Sequence, residues 1–538
     1  MRFLERIATQ VRDRPDAPAV REPGGAVLTY RELDALAGEV AADFGRRGLR
    51  AGDRVCLVLP RSARLVATQL AALRTGIVFT SLDPAQPPDR VHALCEAVRP
   101  RLLVTAEQVR ELPGGAPAPG AYCLFTSGST GTPAAVLVGR EALHTYVEAF
   151  QDGSACAPAD RAAVLGSPGF DVTVEEIWPF LAAGAQLVLA PEEVRSAPAR
   201  LVSWLAAEQV TTAFVPPLLL GHVCAAGDRL PALRLVRTGG ERVTGHPPTG
   251  LPFAVRNEYG PTEATVAVTW WELAPGGTGA PPIGRPLPHA VLRVCDAHGT
   301  EAAEGELWIS GPSLAEGYLG DPELTAARFT TTPDGTRWYR SGDRVRVRPD
   351  GALDYLGRID RQVQLLGKRV EPAEVEAVLE RHPAVARAAV LVRTDAQGRA
   401  QGLLGVVLPH GPLDLAGLRA HTAAALPAHM VPDELRVVAE LPVSPSGKVD
   451  HAALAVEEAP EPVADPLSEA VAIWAEVLLR DDVTEHSDLF ELGGTSLHAM
   501  EIVARLHERL GVSASVRDVF DHPSPSGVVA ALAGGGRR

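Results

Sequence analysis

The stretch FTSGSTGTPAAV, residues 125–136, reads as a loop built to hold phosphate. It runs on from AYCLF (121–125), an apolar segment of strand character. Successive backbone N–H groups of a Gly/Ser/Thr turn form an anion nest, and the hydroxyls add donors. Phosphate loops of the Walker pattern also carry a lysine, and this one has none. A plain glycine-rich turn accounts for the run equally well when it is taken alone.

Lysine is scarce throughout. Of 51 basic residues only Lys368 and Lys448 are lysine, so 49 are arginine. Lysine is a compact point charge on a flexible stem and arginine a planar fork. In so arginine-biased a chain, a retained lysine marks a position where arginine does not serve, with chance as the plain alternative. The 538 residues exceed what one hydrophobic core holds, so about two to four domains are expected. Net charge is −15, which argues against a nucleic-acid surface. The six cysteines are scattered without a CxxC pair, so neither a zinc site nor a disulfide framework is expected, and reduced cytoplasmic thiols are. The opening MRFLERIATQVRDRPDAP is charged and lacks the apolar centre of a signal peptide. No apolar run approaches the roughly 18 residues of a membrane span. A cytoplasmic protein with no membrane partner is the expectation.

Up to about residue 350, short apolar runs alternate with helical periodicity. RVCLVLP (54–60), AQLVLA (185–190) and TTAFVPP (211–217) read as buried strands, and RLVATQLAALRTG (64–76) as a helix stopped by Gly76. Residues 386–450 repeat the alternation on a smaller scale, after a helix that starts near Glu371-Pro372. HAALAVEEAPEPVADP (451–466) is rich in Pro, Ala and Glu and reads as a linker. A helical pattern follows, then a GGGRR tail.

Four further motifs carry chemistry. In NEYGPTEATV (257–266), Tyr259 offers a flat ring to a base, Thr262 a hydroxyl and Glu263 a hard oxygen for Mg²⁺. In YRSGD (339–343), Asp343 can take both hydroxyls of a ribose. In GRIDRQVQLLGKR (357–369), Arg358 suits ribose or phosphate and Asp360 marks a domain junction. SPSGKVD (444–450) holds Lys448 in a Ser/Gly turn. Each alone has an ordinary structural reading, and their order and spacing together shift the balance.

Together these blocks resemble the adenylation domain of nonribosomal peptide synthetases, within the adenylate-forming ligases, over residues 10–455. The likeness includes LTYREL (28–33), LRTGIVFTSLDP (73–84), FDVTVEEIWPFLAAGAQLVL (170–189), GELWISGPSLAEGYL (305–319) and LPAHMVP (426–432), besides the motifs above. It implies that Thr126, Ser127, Gly128, Ser129 and Thr130 embrace ATP phosphates, with Gly240, Glu258, Tyr259, Gly260, Thr262, Asp343 and Arg358 completing the nucleotide site. The family's loop lysine is replaced by Ala134, and a usual glycine by Ala135. Its catalytic lysine matches Lys448, which bridges the substrate carboxylate and the α-phosphate region and offsets the repulsion between two anions. Thr262 and Glu263 complete the catalytic set, with Glu263 holding Mg²⁺. The C-terminal subdomain is expected to swing about Asp360 between an adenylating pose and one that admits a thiol. Lys368 lies beyond that hinge and is expected to be a solvated surface lysine.

Asp171 matches the family's partner for a substrate α-ammonium, which implies an amino acid. The pocket wall implied by the resemblance is Val172, Glu175, Phe214, Arg237, Gly239, Glu258, Val266 and Ala267. Buried charges need partners. Arg237 can pair with one glutamate, which leaves the other for a substrate cation or donor. A basic or polar, nitrogen-rich amino acid is therefore expected, with a proline-like imino acid second.

DLFELGGTSLHAMEIVARLHERLG (488–511) resembles a peptidyl carrier domain. Ser496 stands at a helix start, followed by Leu497, Met500, Val503, Leu506 and Leu510 at helical spacing. A helix N-terminus favours the diester of 4'-phosphopantetheine, and a simple N-cap is the alternative.

The resemblance implies an α/β N-terminal adenylation subdomain over 1–358, with two packed α/β sheets and a small β region. An α+β C-terminal subdomain over 359–452, a linker over 453–466, an all-α four-helix carrier domain over 467–533 and a tail over 534–538 complete the chain. The expected protein is a freestanding didomain that uses Mg-ATP to activate an amino acid and loads it on Ser496. Its expected partners are the amino acid, a phosphopantetheinyl transferase, a downstream tailoring enzyme or synthetase module, and a small activator of the MbtH-like type. An acyl- or aryl-CoA-type ligase is the rival reading, opposed by Asp171 and the fused carrier. A catalytically impaired scaffold is another, opposed by Lys448, Glu263 and Asp343.

Two outcomes are expected from these residues. Lys448→Ala lowers ATP–pyrophosphate exchange by a factor of order 10²–10³, by analogy with loss of one oxyanion donor, and slows thiol transfer from preformed adenylate much less. Ser496→Ala leaves exchange intact and abolishes the mass gain that a pantetheinyl transferase produces, read by intact-protein mass spectrometry.

Overall fold

The computed structural model describes residues 2–127, 133–195, 198–365, 368–394, 400–438 and 440–442. Further on it describes 451, 454, 466–478, 480, 482–489, 491–492, 496–510, 512, 514, 518–519 and 522–534. Gly128, Ser129, Thr130 and Lys448 lie outside the described residues, as does the side chain of Ser496. The chain divides into two compact units, Met1–Val449 and Asp450–Arg538.

The first unit is built on two large sheets whose centres are parallel. One has nine strands, in the order Arg285–Pro286, Thr269–Glu272, Ala254–Tyr259, Leu235–Gly239, Thr212–Phe214, Arg161–Val164, Gln186–Leu189, Pro18–Arg21 and Val27–Thr29. The other has seven, in the order Gly317–Tyr318, Ala134–Val138, Tyr122–Thr126, Val78–Leu82, Arg54–Val58, Leu102–Thr105 and Val109–Glu111. The runs at 54–60, 185–190 and 211–217 thus form strands in these sheets.

The run at 64–76 forms the helix Ala63–Thr75. Ser62 caps its start by accepting the Leu65 N–H at 3.2 Å. Gly76 ends it in the left-handed region at φ 75°, where a side chain would be strained. Residues Leu65 to Leu73 are all buried. A helix enclosed over this length belongs in the interior, and one core joins it to Val55, Leu57 and Phe79 of one sheet and Leu187 and Leu189 of the other.

A five-stranded antiparallel sheet follows, running Val291–Cys295, Glu304–Ser310, Arg337–Val347 and Phe329–Thr331, with Leu353–Arg358 also on Arg337–Val347. Beyond it come the hairpin Val363–Leu365/Lys368–Val370, the helix Pro372–Glu380 and a three-stranded sheet of Val385–Thr394, Ala400–Pro409 and Glu434–Val437. Val375, Leu379, Val390 and Val407 share a separate core there.

In the second unit the described helices are Pro466–Leu478, Ser496–Leu510 and Pro525–Gly534. Ile473, Trp474, Ile502, Leu506 and Val528 are closed to solvent among them. The Trp474 indole N–H donates to the Pro523 carbonyl at 3.1 Å, which satisfies the polar end of the largest core side chain.

Candidate functional site

The carboxyl ends of strands from both large sheets meet at one cleft of about 1640 Å³. Leu82-Asp83, Thr126-Ser127, Gly240 and Glu258-Tyr259-Gly260 all enter its wall at or just beyond strand ends. Ligands of open α/β sheets bind at such ends, because the loops there carry side chains on a rigid base. The hairpin's Lys368 and Arg369 and the nearby His429 close the cleft from the C-terminal side.

Asp171 precedes the helix Val172–Ala183, and its Oδ2 accepts the Thr262 hydroxyl at 2.6 Å. Burial pushes the Asp171 acid up to about 6, against the pull of that hydroxyl, and the charges of Glu175 and Glu263 add to the rise. After Glu263 the backbone is strained. Thr265 and Val266, both β-branched, sit in the left-handed region at φ 60° and 70°. Such conformations cost about 1–3 kcal/mol each and gather at functional sites.

Arg237, in the strand Leu235–Gly239, is fully buried, with its guanidinium 5.0 Å from the Phe150 ring centre and 5.7 Å from that of Phe180. It pairs with Glu175, whose other oxygen accepts the Tyr146 hydroxyl at 2.8 Å. Glu258 stands on the adjacent strand, opposite Gly239. A Cβ on Gly239 would lie 2.1 Å from the Glu258 carbonyl, so glycine alone permits this approach. The Glu258 carboxyl is buried beside that of Glu175, and neither oxygen accepts a hydrogen bond from a donor group of the described residues. Burial, then the Glu175 charge, pushes it up to about 8. Of the expected pocket residues, Asp171 and Glu258 border the cleft, and Val172, Glu175, Phe214, Arg237, Gly239, Val266 and Ala267 lie outside its wall.

A second cluster joins Tyr259, Asp343 and Arg358. The Tyr259 hydroxyl donates to Asp343 Oδ2, and Arg358 Nη1 donates to Oδ1 at 3.0 Å. Arg358 also grips Asp360 with two hydrogen bonds of 2.8 and 2.6 Å. Arg328 approaches Asp360 at 3.6 Å, so the expected hinge is clamped from two sides. Gly342, at φ 71°, makes room, since a Cβ there would meet the Arg358 guanidinium at 2.6 Å. Across the cleft, the buried Ser127 hydroxyl has no hydrogen-bond partner among the described residues.

Glu263 is fully buried. Its Oε1 accepts the Tyr318 hydroxyl at 2.7 Å and Arg369 Nη1 at 3.1 Å. Burial would raise this acid, and Arg369 and Tyr318 outweigh it, so Glu263 stays ionised. Its hard oxygens suit Mg²⁺ with nucleotide phosphates as further ligands, once Arg369 is withdrawn. Among the described residues, no group of three His, Cys, Asp or Glu side chains stands ready to hold a metal.

Lys368 departs from the sequence expectation. It is half-buried, with its ammonium 5.8 Å from the Phe170 ring centre, because the hairpin folds into the cleft rather than onto the surface. Burial, together with Lys368 and Arg90, holds His429 down at about 3, so this imidazole is neutral. Arg369 and Arg90 escaped the sequence reading. Arg369 had one signal, its place beside Lys368 in the block GKRVE.

Residues 7–120 and 110–319 match the family described as AMP-binding enzyme, and 374–448 match the AMP-binding enzyme C-terminal domain. Residues 468–532 match the phosphopantetheine attachment site. The chain belongs to the AMP-binding enzyme family. Within it, the chain joins an adenylation domain to a carrier domain. It is 35% identical to a linear gramicidin synthase polypeptide of Brevibacillus parabrevis over 96% of its own length and 11% of the synthase's. The solved structure of holo-PA1221, a nonribosomal peptide synthetase protein with adenylation and carrier domains, matches at 27% identity and a TM-score of 0.72. That match covers 99% of this chain and 96% of the other. The Vibrio cholerae adenylation domain AlmE shares the fold, at 23% identity and a TM-score of 0.74, over 85% and 98% of the two chains. No helix among the described residues is long and apolar enough to cross a membrane.

The buried pair makes a stability prediction. Arg237→Met strands Glu175 as an uncompensated charge and is expected to cost about 3–5 kcal/mol. The double variant Arg237→Met/Glu175→Met recovers most of this loss. Calorimetric melting of the two variants beside the parent checks both outcomes.

Proposed function

We propose that the chain activates an amino acid with ATP and loads it as a thioester on phosphopantetheine carried by its own Ser496. The observation that supports this reading is the convergence on one cleft of Asp171, the unpartnered Ser127 hydroxyl and the Tyr259–Asp343–Arg358 cluster. Asp171 holds the α-ammonium, and Thr262 fixes the orientation of its carboxylate. Ser127 donates to phosphate. Asp343, steadied by Arg358, takes the ribose hydroxyls, and the Tyr259 ring faces the base. A carboxylate oxygen of the amino acid attacks the α-phosphorus, the bond to the bridging oxygen breaks, and pyrophosphate leaves. Lys448 supplies the cation that offsets repulsion between the two anions. Mg²⁺, when bound at Glu263, neutralises phosphate charge. In the second half-reaction the thiol sulfur bonds to the acyl carbon, AMP departs and the thiol proton is released. The partners of this activity are the transferase that primes Ser496 and an acceptor that consumes the thioester.

The substrate class follows from Glu258. Arg237 hydrogen-bonds Glu175, and the charges of Arg237 and Arg256 only partly offset the burial of Glu258 at the cleft wall, whose carboxyl oxygens accept no hydrogen bond from a donor group of the described residues. A substrate that brings its own cation or strong donors relieves that cost. A basic or nitrogen-rich polar amino acid is the reading, ahead of a proline-like imino acid.

An ATP–pyrophosphate exchange panel over amino acids tests this, with a basic member expected as best. Glu258→Gln should lower kcat/KM for that substrate by about 10–100-fold, the worth of a buried charge-assisted hydrogen bond, and affect neutral competitors little. Glu258 is neutral below about 8 in the free protein, so cation binding must expel its proton. The apparent KM for a basic substrate should therefore fall as pH rises from 6.5 toward about 8, and Glu258→Gln should flatten that slope. Leucine or phenylalanine as the best substrate refutes the pocket reading.

A further inference from the structure

Lys368 stands in the cleft wall beside residues assigned above to the substrate, and we infer that its amine is a second acyl acceptor: when no carrier thiol is present, the aminoacyl adenylate made by the chain acylates Lys368. The inference rests on the amino-acid-activating reading above.

Lys368 opens the strand Lys368–Val370 and shares the cleft wall with Asp83, Phe170 and Asp171. Its Nζ lies 5.8 Å from the centre of the Phe170 ring, and Asp171 is the next residue along the chain. In the reading above, Asp171 holds the α-ammonium of the substrate. Only the α-carbon separates that nitrogen from the acyl carbon, so the electrophile forms beside Asp171. The flexible stem of a lysine lets its amine turn from the ring toward such a neighbour.

Little holds the amine against the ring. A ring face at that distance is a weak attraction. Among the described residues no carboxylate forms an ion pair with Lys368. Asp83 takes the Ser167 hydroxyl, and Glu192 is paired with Arg61 and Arg195. Burial, then the charge of Arg195, moves the Lys368 ammonium below the ordinary lysine range, and Asp83 and Glu192 offset part of this. A larger share of the amine is therefore neutral, which is its nucleophilic form. An arginine in this place would stay protonated and could not act as an acceptor.

The step balances with no further reactant. The Nζ lone pair bonds to the acyl carbon, the bond from that carbon to the phosphate oxygen breaks, AMP leaves with the electron pair, and the nitrogen gives up a proton to solvent. The product is an amide. Amine and electrophile share one cleft, so the transfer is in effect unimolecular and outruns attack by amines elsewhere. A thiol on Ser496 competes for the same acyl carbon. Its thioester remains transferable, whereas the Lys368 amide is a dead end.

The test uses the full chain carrying Ser496→Ala, which has no thiol to load. It is incubated with Mg-ATP and the radiolabelled amino acid that gives the most exchange in the panel. The chain is then denatured, treated with hydroxylamine, which cleaves thioesters and spares amides, and mapped by mass spectrometry. A hydroxylamine-stable adduct at Lys368 is expected, growing with time and absent without ATP. Lys368→Arg and Lys368→Gln on the same background should each lose it. In the parent chain, priming of Ser496 by a pantetheinyl transferase should divert the label to a hydroxylamine-labile form and lower the adduct at Lys368. Exchange without label at Lys368, label at Lys448 in its place, equal labelling of the Lys368 variants, or an adduct undiminished by priming overturns the inference and leaves the adenylation reading standing. Absence of exchange with every amino acid overturns both.

Discussion

Every functional feature of the cleft depends on carboxylates that have been taken out of water. Asp171, Glu258 and Asp343 line it, Glu175 and Glu263 are buried outside its wall, and each acid has to be neutralised, hydrogen-bonded or left waiting for a ligand. Two have arginines committed to them. Arg237 serves Glu175 from inside the core, and Arg358 serves Asp343 from the strand that leads to the hinge. Asp171 has a hydroxyl, and Glu258 has only the more distant charges of Arg237 and Arg256 among the described residues. Glu263 borrows its cation from the other subdomain. The five acids thus differ in how far each charge is satisfied within the described residues.

The scaffold makes that arrangement affordable. Parallel strands deliver the acids at their ends, and the two sheets share one interior through the buried helix Ala63–Thr75. Glycines at the tightest points, Gly239 under Glu258 and Gly342 beside Arg358, let backbone and charged groups approach where any side chain would intrude.

Much of this was legible in the sequence, for local reasons. The helix over 64–76 declared itself through its helical periodicity and a terminal glycine. Asp171, Glu263 and Asp343 declared themselves through short motifs in a fixed order. Pairings across the chain were not legible. Arg90 and Glu374 are 284 residues apart, and nothing near either one names the other. Arg237 pairs with Glu175 rather than Glu258, and Glu175 also accepts the hydroxyl of Tyr146, on a separate helix 29 residues away. Lys368 looked solvated because lysine is ordinarily exposed, and only the docking of the hairpin takes it out of water.

The position of Lys368 also bears on the chain's covalent chemistry. Acylating agents that seek side-chain amines usually spread over dozens of dispensable lysines on a protein of this size. Here they find two, one in the wall of the cleft and one in the SGKVD block. Acylation of side-chain amines would therefore concentrate on these two positions, with no other lysines to act as decoys.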